Sequence, residues 1–241
     1  MDRQQEIDPA KPTNNMRSGI LARGGQILFV FSFIGLVLFL SAGTIRWPAA
    51  WVYFGISLTS VIVNAFFMLR TSPETVAERG QAKGWQNWDK LVSGLWAMMQ
   101  YLALPLVAGL DVRFHWSGEV GLAWHGMGAA IYCISLAGSG WSMVTNAYFS
   151  TAARIQADRG QQVCKTGPYR LIRHPGYSSF ILQSLGMAIL LGSWWALIPA
   201  IVAMGLMVTR TAFEDRMLQS DLLGYREYTQ QVKFRLLPGV W

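Results

Sequence analysis

Arg173-His174-Pro175 stands directly before an apolar run, and Glu214-Asp215 directly follows another. Proline suits the first turn of a helix, where its missing N–H is no loss. The free N–H groups behind it and the helix dipole make an end that receives anions. Arg173 adds a planar fork that grips a carboxylate or phosphate through two parallel hydrogen bonds. His174 can donate or accept a proton near neutral pH. Acids at the end of an apolar helix are costly unless solvated or paired, so Glu214 and Asp215 need water or a cation. Each element also has a plainer meaning on its own. Basic residues at a helix start meet lipid headgroups, and an acid at a helix end is a solvated face. Tyr225, Tyr228 and Phe234 sit among charges near the C-terminus, as either an interfacial belt or a wall for a planar ring.

The elements that carry these groups belong to a membrane. Of 241 residues, 52% are hydrophobic and 14% charged, where a soluble domain carries about a quarter charged. So few charges cannot coat a globule, which excludes a cytosolic enzyme, and so much apolar surface excludes a disordered chain. Eleven Trp and eight Tyr suit a chain anchored at two membrane interfaces. A net charge of +7 would suggest nucleic acid in a soluble protein. Here basic residues at helix ends set orientation instead, and no nucleic-acid partner is expected. Cys133 and Cys164 have no CxxC or metal-ligand spacing, and His115, His125 and His174 are scattered. Neither a disulfide framework nor a metal site is expected.

Four apolar segments, at about 26–42, 47–69, 91–110 and 120–144, approach or exceed the roughly 20 residues that cross a bilayer. Residues 177–208 are also apolar. As one helix they would run about 48 Å at 1.5 Å per residue, well beyond a hydrocarbon core of roughly 30 Å. A hairpin turning at Gly192-Ser193 is the alternative. Charge decides for it: with the hairpin, only Arg46 and Arg113 lie outside and the other 18 of 20 basic residues lie inside. The expected fold is an all-α polytopic membrane protein, with four transmembrane helices, a C-terminal helical hairpin (about six apolar legs) and both termini cytoplasmic. Residues 1–25 read as a loose cytoplasmic tail and 26–145 as the four helices. Folding the hairpin brings 146–174 and 210–235 together.

The string GPYRLIRHPGYSSF (167–180), the double-length apolar stretch, Glu214-Asp215 with Leu218, GYREY (224–228) and LLPGVW (236–241) together resemble the isoprenylcysteine carboxyl methyltransferase family. The wider phospholipid methyltransferase-like superfamily shares this layout. SPETVAERG (72–80) is similar to the family's proline-glutamate-arginine loop, and Asp215 stands where the family often has a second glutamate. The resemblance implies S-adenosyl-L-methionine as cofactor, bound on the cytoplasmic side by residues 146–241. It implies a pocket lined by Tyr169, Arg173, His174, Pro175 and Tyr177 from one side, and by Glu214, Tyr225 and Tyr228 from the other. Arg173 with His174 would hold the cofactor's carboxylate, and Glu214 its ammonium or ribose; these three are the candidate catalytic residues. Asn146 and Arg154 are the candidates for gripping the methyl acceptor, an isoprenylcysteine or another lipid-embedded group entering from the bilayer.

A phospholipid amine as acceptor would need a base such as His174 or Glu214 to remove a proton. Membrane sterol reductases that use NADPH have a similar RHPxY element, though usually with more spans before it. A channel or transporter predicts ionisable residues within spans, and here only His125 qualifies.

Overall fold

The computed structural model describes residues 14–81 and 84–241. The expected tail at residues 1–13, with Arg3 and Lys11, and the loop residue Lys83 lie outside the described residues. Among the described residues all regular structure is helical, without strands. Five helices are long and apolar enough to cross a membrane by length and composition. Helices α1 (Asn14–Ala42) and α2 (Pro48–Thr71) come first. The short α3 (Pro73–Gln81) follows. A third span joins α4 (Asn87–Met98), a π-turn at Met99–Ala103, and α5 (Leu104–Phe114). Helix α6 (Leu122–Thr145) is the next span. Then α7 (Pro175–Leu190) and α8 (Leu197–Asp221) form the hairpin, and α9 (Tyr225–Gln231) follows.

Lipid is the solvent of the outer faces. Leu28, Phe29, Leu36 and Leu40 on α1 and Ile62, Phe66 and Phe67 on α2 are exposed, an arrangement that water would penalise over so large an area. The inner faces meet through small residues, which let backbones approach closely. A Cβ at Gly128 would lie 2.2 Å from the Leu190 nitrogen, and one at Gly186 would lie 2.7 Å from the Tyr132 nitrogen, so α6 and α7 pack backbone to backbone.

The hairpin turns where expected. Gly192 takes the left-handed φ of +74° that glycine allows, and a Cβ there would meet the His125 ring at 2.4 Å. Helix α7 is about 24 Å long at 1.5 Å per residue, shorter than the hydrocarbon core, whereas α8 at about 38 Å projects past it. That excess length carries Arg210, Glu214 and Asp215 to the polar end where α7 begins.

One boundary differs from the sequence reading. Helix α1 starts at Asn14 rather than near Gln26. Its polar first turns show no apolar stripe, so periodicity could not reveal them. They are held by α3: a Cβ at Gly19 would lie 2.5 Å from the Ala77 carbonyl oxygen, and one at Gly80 would lie 2.0 Å from the Gly19 oxygen. Two glycines, far apart in sequence, make that contact possible.

Within the third span, the π-turn precedes Pro105, whose ring would collide with the carbonyl four residues back in a regular helix. The widened turn presents Gln100 inward, 2% exposed, where its oxygen accepts the Ser184 hydroxyl at 2.6 Å.

Candidate functional site

Where α7 starts and α8 ends, the chain builds a tightly paired polar centre around Asp215. This carboxylate is 0% exposed. Its Oδ1 accepts from Arg173 Nε at 2.8 Å and Tyr225 at 3.0 Å, and lies 3.2 Å from His174 Nε2. Its Oδ2 accepts from Arg173 Nη2 at 3.0 Å, Arg235 Nε at 2.8 Å and Gln219 at 2.8 Å. A buried charge persists only with such compensation. Arg173 Nη1 is also spent, on the carbonyls of Val232 at 2.9 Å and Lys233 at 2.8 Å.

The same centre ties down the C-terminal segment. The backbone N–H groups of Arg173 and His174 donate to the carbonyls of Phe234 and Arg235, both at 2.9 Å. Ser178 donates to Leu236 at 2.7 Å, and Tyr228 to the Tyr169 carbonyl at 2.6 Å.

Beside this centre lies a small cavity of about 90 Å³, partly open to solvent. Its walls include nine of the ten expected site residues: Asn146, Arg154, Tyr169, Arg173, His174, Tyr177, Glu214, Tyr225 and Tyr228. Pro175 does not line it; it opens α7 as the first helical residue. Phe149, Gln156, Gln161 and Cys164 also contribute.

Glu214 differs from its neighbour Asp215. It is half-buried on the cavity wall and accepts the Tyr177 hydroxyl. The Tyr177 ring lies parallel to His174, with centroids 5.7 Å apart and planes 2° apart. The Arg210 guanidinium carbon sits over the Tyr177 ring, 5.2 Å from its centre. Arg210 in turn binds Asp89 at 2.8 and 3.3 Å, and Asp89, 0% exposed, also accepts Ser93 at 2.7 Å and the Ala153 N–H at 2.6 Å. Burial pushes the hydroxyls of Tyr169, Tyr225 and Tyr228 well above the ordinary tyrosine range, and for Tyr225 the charge of Asp215 adds to it. All three therefore stay protonated donors.

The geometry gives Arg173 a different task from the one expected. Its fork faces Asp215 and two carbonyls, so it organises the wall rather than presenting free donors to the cavity. Arg154 is likewise engaged, with Glu78 at 3.3 Å and Asp158 at 2.9 Å. Asn146 donates to the Tyr169 hydroxyl at 3.4 Å. Sequence reasoning missed Asp215 as the hub and the Asp89–Arg210 pair altogether. The available signal was the four-residue spacing of Arg210 and Glu214, which puts both on one face of α8.

The geometry now has a counterpart among known proteins. Residues 128–220 match the isoprenylcysteine carboxyl methyltransferase (ICMT) family. That is the family which the RHPxY string and the acid pair resemble, and the matched stretch holds most of α6, all of α7 and nearly all of α8. No curated protein matches the chain. The match and the apolar helices support an integral, multi-pass membrane methyltransferase.

The cavity's donor set fits S-adenosylmethionine. Aromatic walls suit adenine and a cationic sulfur, and Glu214 suits ribose hydroxyls or an ammonium. Arg154 Nε, buried and without a hydrogen-bond partner among the described residues, belongs to the same wall. Cys133 and Cys164 are both free thiols.

Proposed function

We propose that this protein is an S-adenosylmethionine-dependent methyltransferase that esterifies the carboxylate of a lipid-borne acceptor of the isoprenylcysteine type. The observation that carries this reading is the cavity at the junction of α7 and α8, where Glu214 and five tyrosines converge within the ICMT-matched stretch and its C-terminal neighbour. The cofactor supplies a methyl group on a cationic sulfur; the ester C–O bond forms as the C–S bond breaks, with its electron pair leaving on sulfur.

A carboxylate nucleophile is already ionised, so no residue need remove a proton. The work of the chain is to align and to dry. In our reading Tyr169, Tyr225 and Tyr228 wall the cofactor, and Glu214 accepts from its ammonium or ribose. His174 and Tyr177 keep the shared wall in place, and Arg173 fixes both through Asp215. Asn146 and Arg154 face the acceptor. Alignment of this kind supplies several kcal/mol, up to about 7–11 in the best intramolecular cases. Because an anion and a cation neutralise each other on the way to product, a site stripped of water favours the transition state.

Access from the bilayer suits the acceptor. An apolar groove between α2 and α6, lined by Val52, Ile56, Val63, Phe67, Leu136 and Trp141, runs to Val144, just before Asn146. Both termini are assigned to the cytoplasm on the distribution of basic residues.

Thermal unfolding in detergent with S-adenosylhomocysteine, and in parallel with NADPH, tests the proposal. Ligand at 100 times its Kd stabilises by about 2.7 kcal/mol. Stabilisation by S-adenosylhomocysteine is expected. Stabilisation by NADPH alone would replace methyl transfer with a reductase.

A further inference from the structure

Arg210 passes over the acid nearest to it in sequence. Glu214 stands one turn further along α8, the spacing at which a guanidinium and a carboxylate pair on a helix face. Among the described residues, Arg210 instead makes its ion pair with Asp89, 121 positions away on α4. Arg210 is 5% exposed, so its charge needs an anion wherever it turns. Its guanidinium carbon lies over the Tyr177 ring, and the Tyr177 hydroxyl donates to Glu214. One ring thus touches both the cation and the acid that lines the cavity.

The reason for the distant partner lies in α4. Asp89 sits in the first turn of that helix, where the dipole favours an anion. Ser93 at 2.7 Å and the Ala153 N–H at 2.6 Å hold its carboxylate there. Arg210 donates to it through Nε at 2.8 Å and Nη2 at 3.3 Å, and Nη2 also donates to the Thr151 carbonyl at 2.8 Å. Three segments meet at this pair: the start of the third span, α8, and the loop at 151–154, whose Ala152 and Arg154 line the cavity. The consequence is electrostatic. With Arg210 committed to Asp89, the charge of Glu214 stays available to the cavity. Were Asp89 neutral, Arg210 would find Glu214 one helical turn away, and the pair would cancel that charge.

We propose that Asp89 is a positioning residue for the cofactor cavity: it draws Arg210 off Glu214 and so keeps Glu214 free to meet the ligand. This rests on the methyltransferase reading, which supplies the ligand. It adds a residue that lies outside both the cavity lining and the family-matched stretch.

The test is a set of variants of the full chain in detergent, read by S-adenosylhomocysteine affinity and by the midpoint of unfolding without ligand. Asp89→Asn keeps the shape and gives up the charge. It should lower S-adenosylhomocysteine affinity about tenfold, as Glu214→Gln does. The two together should lower it no further, because both remove the same charge from the cavity. Asp89→Asn/Arg210→Gln leaves no cation to capture Glu214 and should bind S-adenosylhomocysteine several-fold more tightly than Asp89→Asn alone. Losses that multiply overturn the proposal. So does an Asp89→Asn protein that is less stable yet binds S-adenosylhomocysteine as the unaltered protein does. If Asp89→Asn does not fold, Asp89→Asn/Arg210→Gln is compared with Glu214→Gln, since removing both partners of a buried pair is often close to neutral. Tighter binding than Glu214→Gln supports the proposal, and binding no tighter overturns it. If the unaltered protein does not bind S-adenosylhomocysteine, the methyltransferase reading fails, and the exchange of partners is read from unfolding alone. Glu214→Gln should then cost clearly more after Asp89→Asn than before it, because it strips Arg210 of its second anion; additive shifts overturn the exchange.

Discussion

The molecule buries a carboxylate at each end of its hairpin and treats the two in opposite ways. At the turn, Asp111 (3% exposed) is satisfied by neutral donors: the Ser117 N–H at 2.7 Å, the Ser117 hydroxyl at 2.5 Å and the Ser193 hydroxyl. Ser193 also accepts the Ala196 N–H, so this cluster ties the end of the third span to the hairpin turn. At the open end, Asp215 collects two arginines, a histidine and a tyrosine. The first arrangement is a clamp that closes on itself. The second leaves a charged, aromatic wall beside a cavity. Burial of a charge by itself therefore says little about function; what distinguishes the two ends is whether the shell of partners faces inward or borders open space.

Substitution separates them. Asp215→Asn should have the largest effect, because Arg173 and Arg235 would both lose their anion. Breaking a buried pair by removing one partner costs about 3–5 kcal/mol. Both the midpoint of thermal unfolding in detergent and S-adenosylhomocysteine binding should fall. Asp111→Ala should come next, since each buried donor left without a partner costs about 1–3 kcal/mol. It should lower the unfolding midpoint while S-adenosylhomocysteine affinity stays within about twofold, a prediction that rests on the distance of the clamp from the cavity. Loss of cofactor binding in Asp111→Ala would show that the two ends are coupled through α7 and α8.

The contrast was half legible in the sequence. The hairpin could be read because its apolar stretch is too long for one span, and because Gly192-Ser193 interrupts it where the structure turns. The RHP helix start and the acid pair could be read because proline, dipole and boundary charges leave local marks. What could not be read is pairing across distance. Asp89 and Arg210 stand 121 positions apart, and neither residue type nor spacing links them. Sequence marked the two acids together, and the structure separates them: Asp215 sits in the paired centre and Glu214 on the cavity wall. Adjacent residues on a helix point about 100° apart, so one faces the paired centre and the other the cavity. The polar start of α1 was hidden for a different reason, because its support is a backbone contact between Gly19 and Gly80 rather than an apolar stripe.

Glu214 sharpens the comparison at the smallest scale. Among the described residues it has one hydrogen-bonding neighbour, Tyr177, against six donor contacts at Asp215. Glu214→Gln keeps shape and still accepts from the Tyr177 hydroxyl, so the unfolding midpoint should barely move. What it removes is a negative charge on the cavity wall. If that charge meets the cofactor's ammonium or ribose, affinity for S-adenosylhomocysteine should fall roughly tenfold, about 1.4 kcal/mol, while the affinity for a farnesylated carboxylic acid should hold or rise slightly. Equal loss of both ligands would instead mean that Glu214, like Asp215, serves the wall and not the ligand.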